Sequence, residues 1–278
     1  MGAPAAAGKA FRWPPGPAGS DRSPDVGGAV PAPPPARLAS VALAFESMWL
    51  GLAAAPIAQL RAEGWAPDGP LAYCPRCAQN VGPFEADGDG CPACRGRRPP
   101  WRRLVRLGSY DDALRDAIMA LKFQAWRRVG TDLGALLGRA IAERLDAVGV
   151  DRREVALAPA PMVAGRRIVR GIDHTLVLAR AASGASGAPL QRLLYRRRRP
   201  AQTSLTATER ARAQAGAFGG MSGVRPAALV VVIDDVLTTG ATMRSACAEV
   251  GHLQRASGQR AQVWGAVVAV TAARGQST

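Results

Sequence analysis

The hydrophobic positions that follow Trp101 repeat with helical spacing in four segments. Apolar residues recur there every three or four positions, which is the period of an amphipathic helix. The four predicted helices span residues 110–123, 129–148, about 171–182 and 241–254. Two more helices are predicted nearer the N-terminus, one over Leu38–Gly51 and a shorter one that ends near Gly64.

Three short apolar runs lie among these helices and predict strands. Residues 155–158, 229–233 and 263–270 are apolar without alternation. Strands that are buried on both faces have this pattern. Because strands and helices alternate, we expect an α/β domain over residues 101–272, built on a parallel sheet with right-handed crossovers.

The segments outside that domain differ in composition. Proline, glycine and alanine dominate residues 1–37, and such a segment buries too little apolar area to offset its ordering entropy, so disorder is predicted. Residues 38–70 are predicted to form a helical lead-in, 71–99 a small cysteine module and 273–278 a short tail.

The N-terminal third also bears on location. The first thirty residues lack the basic start and apolar run of a signal peptide. The apolar stretch 38–60 is interrupted by Glu46 and Pro56, so we expect no membrane span. These patterns predict a cytoplasmic protein.

The sequence is strongly basic, with 36 lysines and arginines against 21 acidic residues and a formal net charge of +15. This charge favours polyanionic partners such as phosphates, nucleotides or nucleic acid. A solvated basic surface without a specific partner is the alternative.

Four of the five cysteines form two Cys-x-x-Cys pairs, which thirteen residues separate. Four thiolates on two tight turns can surround one tetrahedral Zn²⁺. A module this short has almost no core, so the metal would supply its folding energy. Disulfides are the alternative, but a cytosolic location favours structural zinc. The predicted ligands are Cys74, Cys77, Cys91 and Cys94. The fifth cysteine, Cys247, is predicted to lie in the core.

The segment from Ile233 to Thr242 predicts a phosphate site. A buried strand ends in Asp234 and Asp235, and small and hydroxyl residues then lead into a helix. Ligands of open α/β sheets bind at the carboxyl ends of the strands. Backbone N–H groups at a helix N-terminus can cradle a phosphate, and Gly240 allows close approach. The two carboxylates would face a neighbouring ribose diol, directly or through Mg²⁺. An ordinary turn with capping threonines is the alternative.

This segment resembles the phosphoribosyl pyrophosphate signature of type I phosphoribosyltransferases. Over roughly residues 70–272, the chain resembles the ComF-like competence proteins, in which an N-terminal zinc ribbon precedes such a domain. The landmarks, in order, are the two cysteine pairs, Leu121-Lys122-Phe123, Pro159-Ala-Pro161, Arg170-Gly171, Gln202-Thr-Ser-Leu205, Glu209-Arg210, Ala217-Phe218 and the signature itself.

The resemblance implies a type I phosphoribosyltransferase fold that binds phosphoribosyl pyrophosphate, or a nucleotide, with Mg²⁺. Asp234 and Asp235 would hold the ribose hydroxyls. The 5′-phosphate would lie on Thr238, Thr239, Gly240, Ala241 and Thr242. Residues 160–167 would line the pyrophosphate, and residues 195–205 would form a mobile hood. Arginines suit phosphate because the guanidinium binds it in a bidentate manner. The candidates are Arg166, Arg167, Arg170 and Arg199.

The chain departs from the family pattern on the acceptor side. Ile172-Asp173-His174 stands where the family usually has Phe-Asn-Gln, Ala213 replaces an asparagine, and the hood lacks its threonine. Two functions therefore remain open. One is a ligand-binding protein that acts in competence and DNA uptake, with single-stranded DNA and the uptake machinery as partners. The other is an active metabolic phosphoribosyltransferase that transfers phosphoribose to a base or amine.

Three basic positions near the predicted site have two interpretations each. Lys122 either reaches the site or ends its helix favourably, and the second is preferred. His174 is interpreted as an ordinary helix residue, because no partner carboxylate is evident in the sequence. The cluster Arg196–Arg199 either contacts phosphates or forms a solvated loop.

Overall fold

A computed structural model of the protein describes residues 56–123, 127–162, 172–197, 216–260 and 262–272. The predicted tails, the predicted helix Leu38–Gly51 and the four candidate arginines Arg166, Arg167, Arg170 and Arg199 lie outside these residues.

Four parallel strands form the central sheet, in the spatial order β1-β6-β5-β2. A separate antiparallel pair joins β3 and β4. The strands are β1 Arg103–Ser109, β2 Val155–Pro159, β3 Leu194–Arg196, β4 Phe218–Gly220, β5 Leu229–Leu237 and β6 Val263–Val270. The two central strands are β5 and β6, which are the longest apolar runs and are buried along most or all of their length. The predicted α/β architecture with a parallel sheet is confirmed.

Helices cover both faces of this sheet. They are α1 Pro56–Ala62, α2 Asp112–Phe123, α3 Arg127–Asp146, α4 His174–Ser186 and α5 Ala241–Ala256. The first four pack on one face with Val105, Leu157 and Val231, and α5 packs on the other with Val230 and Val232. None of the helices in the described part of the chain is both long and apolar enough to cross a bilayer.

Helices α3 and α4 approach each other closely. A Cβ atom at Gly138 would lie 2.4 Å from the carbonyl oxygen of Ala182, and one at Gly134 would lie 2.5 Å from that of Leu178. The two glycines therefore let the helix backbones meet, which fixes the position of α4 and of the residues at its N-terminus.

Strand β1 was not predicted, because Arg106 interrupts its apolar run. The guanidinium is 2% exposed and lies 2.6 Å from Asp68 and 2.6 Å from the carbonyl oxygen of Ala78. It also stacks 4.9 Å from the ring centroid of Tyr73. A buried charge needs such partners; here Tyr73 and Ala78 belong to the cysteine module, and Asp68 lies just before it. Arg106 thus attaches that module, called the ribbon below (residues 71–99), to the edge strand.

Candidate functional site

The two predicted site aspartates lie within β5, since the strand extends beyond the predicted residues 229–233 to Leu237. Asp234 is paired with Val267 of β6. Successive strand residues project to opposite faces of a sheet, so the two carboxylates have different surroundings. They remain linked, because the backbone N–H of Asp235 donates to Oδ1 of Asp234 at 2.9 Å.

Asp235 holds two basic side chains that come from distant parts of the chain. Its Oδ2 lies 2.8 Å from Nζ of Lys122, at the end of α2, and 2.9 Å from Nε2 of His174, at the start of α4. Its Oδ1 accepts the backbone N–H of Val236 at 2.6 Å. Lys122 does lie in the last turn of its helix, as the preferred interpretation holds, but it also contacts Asp235, and His174 has in Asp235 the partner carboxylate that was not evident in the sequence. Three donors meet one buried carboxylate at the carboxyl edge of the sheet.

Local capping at the start of α4 places His174. Asp173 is the N-cap residue, and its Oδ1 accepts the backbone N–H of Leu176 at 3.2 Å. The hydroxyl of Thr175 lies 2.9 Å from that same carboxylate and 2.9 Å from the carbonyl oxygen of Ala160, just after β2. These contacts tie the first turn of α4 to the edge of the sheet. The imidazole of His174 is 5% exposed, and its Nδ1 has no hydrogen-bond partner among the described residues.

The environment shifts the pKa values of the two aspartates in opposite directions. Burial alone would raise the pKa of Asp235, but the hydrogen bond from His174 and the charge of Lys122 outweigh it and hold that pKa well below its ordinary value. Burial, followed by the negative charge of Asp235, raises the pKa of the half-buried Asp234 to about 8. Asp235 is therefore the charged anchor of the pair, and Asp234 gains most from a ligand that donates hydrogen bonds.

The predicted phosphate loop, residues 238–242, connects β5 to α5. Gly240 is the N-cap of α5 with φ +72°, a left-handed conformation that glycine adopts without strain. Glycine offers no capping side chain. The backbone N–H of Ala241 donates to the hydroxyl of Thr239 at the long distance of 3.4 Å, and the next N–H groups of this first turn have no intrahelical partner and can face an anion. The guanidinium of Arg244, in the first turn, contacts the carbonyl oxygen of Thr239 and adds positive charge beside the loop.

A cavity of about 230 Å³ joins these groups. Its polar lining includes both aspartates, Lys122, His174, Thr242 and Arg196. Arg196 lies on β3, where its guanidinium stacks 5.2 Å from the ring centroid of Phe218. Two larger cavities, of about 440 and 580 Å³, lie elsewhere and contain neither aspartate. Of these three cavities in the described part of the chain, the smallest brings the two carboxyl groups together with basic and hydroxyl side chains.

Sequence reasoning selected the loop and the two aspartates, whereas the basic groups that complete the site were missed or discounted. Lys122 and His174 reach Asp235 only through the packing of α2 and α4, which no local pattern encodes. Arg244 is four residues after Gly240. Residues four apart lie on the same face of a helix, so this spacing predicts that Arg244 lies beside the loop.

The four predicted metal ligands converge in the ribbon. The Sγ atoms of Cys74 and Cys94 are 3.6 Å apart, those of Cys77 and Cys91 are 3.7 Å apart, and those of Cys91 and Cys94 are 3.7 Å apart. A tetrahedral Zn²⁺ with Zn–S bonds of about 2.3 Å requires sulfur atoms about 3.8 Å apart. All four thiols are free. The cluster therefore fits a zinc ion and is not a pair of disulfides.

Hydrogen bonds prepare one of these thiols as a thiolate. The thiol of Cys77 donates to Cys74 and lowers the pKa of Cys74 to about 4. The backbone N–H groups of Cys91 and Arg76 also donate to the Cys74 sulfur, at 3.2 and 3.4 Å. The same hydrogen bond raises the pKa of Cys77, and burial raises the pKa of Cys94. Because metal ligands must be deprotonated, binding of Zn²⁺ would release protons from these thiols. Cys247 is fully buried away from the cluster, as predicted.

The chain is thus an α/β protein with the predicted phosphate loop at the carboxyl edge of its sheet and a four-cysteine ribbon at its side. Its sequence is similar to "Competence protein F" of Haemophilus influenzae, with 27% identity over 69% of this chain and 83% of that protein. It is also similar to "DNA utilization protein YhgH" of Salmonella typhi, with 28% identity over 70% of this chain and 83% of that protein. The same-named protein of Escherichia coli K12 is 28% identical over 69% of this chain and 82% of its own length. These matches confirm the predicted resemblance to ComF-like competence proteins.

No protein-family model matches the sequence. Among solved structures, the chain matches a hypoxanthine-guanine phosphoribosyltransferase of L. donovani with a TM-score of 0.32 and 12% identity. That match covers 51% of this chain and 67% of the other.

Proposed function

We propose that this protein binds phosphoribosyl pyrophosphate with Mg²⁺ at the carboxyl edge of its sheet and that it acts in the handling of DNA during uptake. The observation that carries the first part is the convergence of Lys122 and His174 on Asp235 beside the phosphate loop. A buried carboxylate with two basic partners from separate helices is a costly arrangement. Perturbed ionisable groups of this kind concentrate at functional sites.

The groups of the cavity match the parts of such a ligand. The backbone N–H groups of residues 240–242 suit the 5′-phosphate, because a helix N-terminus attracts negative charge. Asp234 suits the ribose diol, because it has no ion-pair partner among the described residues and two hydroxyl groups that donate to its oxygens would favour its ionised form despite the raised pKa. Lys122 and Arg196 supply positive charge for the pyrophosphate. Mg²⁺, bound with the ligand, would neutralise further charge on the pyrophosphate oxygens.

Asp235 has a different role in this proposal from the one first predicted for it. Its two oxygens already accept from Val236 and contact Lys122 and His174, so its part is to hold those two basic groups in the cavity. The sugar contact then falls to Asp234. This division requires Asp235 to stay charged, in agreement with its lowered pKa.

The departures on the acceptor side bear on turnover. His174 and Asp173 occupy positions at which the ComF-like pattern has other residues, and both are used for internal contacts with Asp235 and with the first turn of α4. Transfer of phosphoribose needs an acceptor held at reaction distance and exclusion of water. We therefore expect ligand binding with slow or absent transfer.

Calorimetric titration of the protein with phosphoribosyl pyrophosphate, with and without Mg²⁺, tests the binding. We expect measurable affinity only with Mg²⁺. A pyrophosphate-release assay with a panel of purines, pyrimidines and amines then separates the two functions. Rapid release with one acceptor would identify an active metabolic transferase and contradict the proposal of a binding protein.

A role with DNA is supported by the names of the relatives and by a second surface of the molecule. A groove of about 440 Å³ lies at the amino edge of the sheet, opposite the phosphate loop. The arginines Arg102, Arg255 and Arg260 line it, and no acidic residue is among its lining residues. All three are exposed. Such a groove suits the phosphates of a nucleic-acid backbone.

The ribbon is a weaker candidate for that contact. Two of its arginines lie near acidic side chains, since Arg95 is 2.7 Å from Asp87 and Arg76 is 4.0 Å from Asp89.

Binding of single-stranded DNA to the arginine-lined groove is tested by its retention at increasing salt concentration, and retention should fall as the salt concentration rises. Replacement of Arg102, Arg255 and Arg260 by glutamine should reduce retention, whereas the matched change of three exposed arginines on α3 and α4, Arg128, Arg139 and Arg180, should not. Equal retention by both variants would contradict this assignment.

A further inference from the structure

The first turn of the ribbon fixes the backbone of Gln79. Its carbonyl oxygen accepts the backbone N–H of Cys74 at 2.9 Å, and the N–H of Ala78 donates to the carbonyl oxygen of Cys74 at 2.9 Å. Ala78 has φ +59°, a left-handed conformation that is strained for a residue with a side chain. The same turn presents Cys74 and Cys77 to the metal. The position of Gln79 is therefore linked to the geometry of the cysteine cluster.

The side chain of Gln79 reaches the end of β6. Its Nε2 donates to the carbonyl oxygen of Thr271 at 3.0 Å, across 192 positions of sequence. Thr271 in turn donates twice to the carbonyl oxygen of Leu237, from its backbone N–H at 3.0 Å and from its hydroxyl at 3.4 Å. Leu237 directly precedes Thr238, where the phosphate loop begins. Three hydrogen-bonded residues thus connect the cysteine cluster to the phosphate loop.

Other contacts of the ribbon lead elsewhere. The neighbouring Asn80 contacts Arg106 and accepts the hydroxyl of Ser109 at 3.1 Å, and both of these residues lie on β1 at the outer edge of the sheet. Strand β6 separates β1 from β5, so these contacts attach the ribbon without reaching the strand that carries the loop. Adjacent ribbon residues therefore have separable roles.

We propose that Gln79 is a positioning residue through which the cysteine ribbon holds the phosphate loop in its ligand-binding geometry. Loss of the metal makes the turn at Cys74–Gln79 mobile, and the hydrogen bond from Gln79 to Thr271 is then lost. Without that bond, the loop after Leu237 becomes mobile. The ribbon thereby controls occupancy of the phosphate site. The identity of the ligand in this inference rests on the proposed function, and the connection from ribbon to loop rests on the hydrogen bonds described above.

The test compares Gln79→Met, which keeps the size of the side chain and removes its donor, with the adjacent control Asn80→Ser. Zinc content is measured first, to show that both ribbons remain loaded. Deuterium uptake of the peptide that covers residues 238–242 is then followed without ligand, in both variants and in the wild-type protein before and after removal of zinc by a chelator. Titration with phosphoribosyl pyrophosphate and Mg²⁺ completes the set.

We expect faster uptake in this peptide for Gln79→Met and for the zinc-free protein, and unchanged uptake for Asn80→Ser. The dissociation constant should rise about fivefold in Gln79→Met. Faster uptake in the zinc-free protein but not in Gln79→Met would overturn the role of Gln79. Unchanged uptake in both would overturn the connection itself. If the wild-type protein fails to bind phosphoribosyl pyrophosphate, the proposed function is wrong, and the exchange data still decide the inference.

Discussion

The ribbon and the phosphate site are held together by different means. The ribbon draws its four ligands from residues 74–94, and its buried cluster consists of three of those cysteines with a few partly buried neighbours. The phosphate site draws Lys122, His174 and Asp235 from three elements that the main core brings together. A region without a core depends on its metal, whereas a region on a buried sheet depends on packing. The two should therefore respond differently to loss of a single group.

The largest expected effect is loss of the metal from the ribbon. We expect one equivalent of zinc per chain, and Cys91→Ser should remove most of it, because the binding free energy of about 10–16 kcal/mol for such sites is also folding free energy. Elemental analysis measures the zinc, and hydrogen exchange should show loss of protection in residues 71–99 with the protection of β5 and β6 retained. Cys247→Ala is the control and should keep its zinc. Zinc well below half an equivalent in the wild-type protein would contradict the ribbon assignment.

The comparison becomes sharper at Lys122, whose role depends on long-range packing. Lys122→Met removes a charge from the cavity and leaves Asp235 with His174 alone, so affinity for phosphoribosyl pyrophosphate should fall about tenfold. Lys122→Arg keeps the charge and should lose less. Arg115→Met removes an exposed charge from the same helix and serves as the control. Calorimetry showing equal affinity for Lys122→Met and Arg115→Met would exclude Lys122 from the site.

The same comparison shows what sequence patterns can predict. The four cysteines and the residues from Asp234 to Thr242 are short-range motifs, and both were found because their chemistry is contained in a few consecutive residues. Strand β1 was missed because Arg106 occupies a core position whose partners, Asp68 and Ala78, are known only from the fold. Lys122 and His174 were discounted for a related reason. Their partner Asp235 lies 113 and 61 positions further along the chain, and contacts at such separations depend on tertiary packing.

The smallest expected effect concerns pH. The pKa of Asp234 is raised to about 8 in the folded protein, against about 3.9 in an unfolded chain. The folded state therefore keeps this proton over a window in which the unfolded state has released it, and the resulting stability is lost as pH rises from about 4 through 8. Asp234→Asn removes this dependence. Thermal unfolding should show the variant gaining stability relative to the wild-type protein between pH 5.5 and 8.5, and a constant difference would contradict the raised pKa.

The central claim is that the carboxyl edge of the sheet binds phosphoribosyl pyrophosphate through its two carboxylates and the groups they hold. Calorimetric titration of the double variant Asp234→Asn with Asp235→Asn, in the presence of Mg²⁺, tests it most directly. Asparagine amides place donors where the ribose diol, Lys122 and His174 need acceptors. The account predicts a loss on the order of 3 kcal/mol, about a hundredfold in affinity, while Arg115→Met binds as the wild-type protein does. Undiminished binding by the double variant would contradict it.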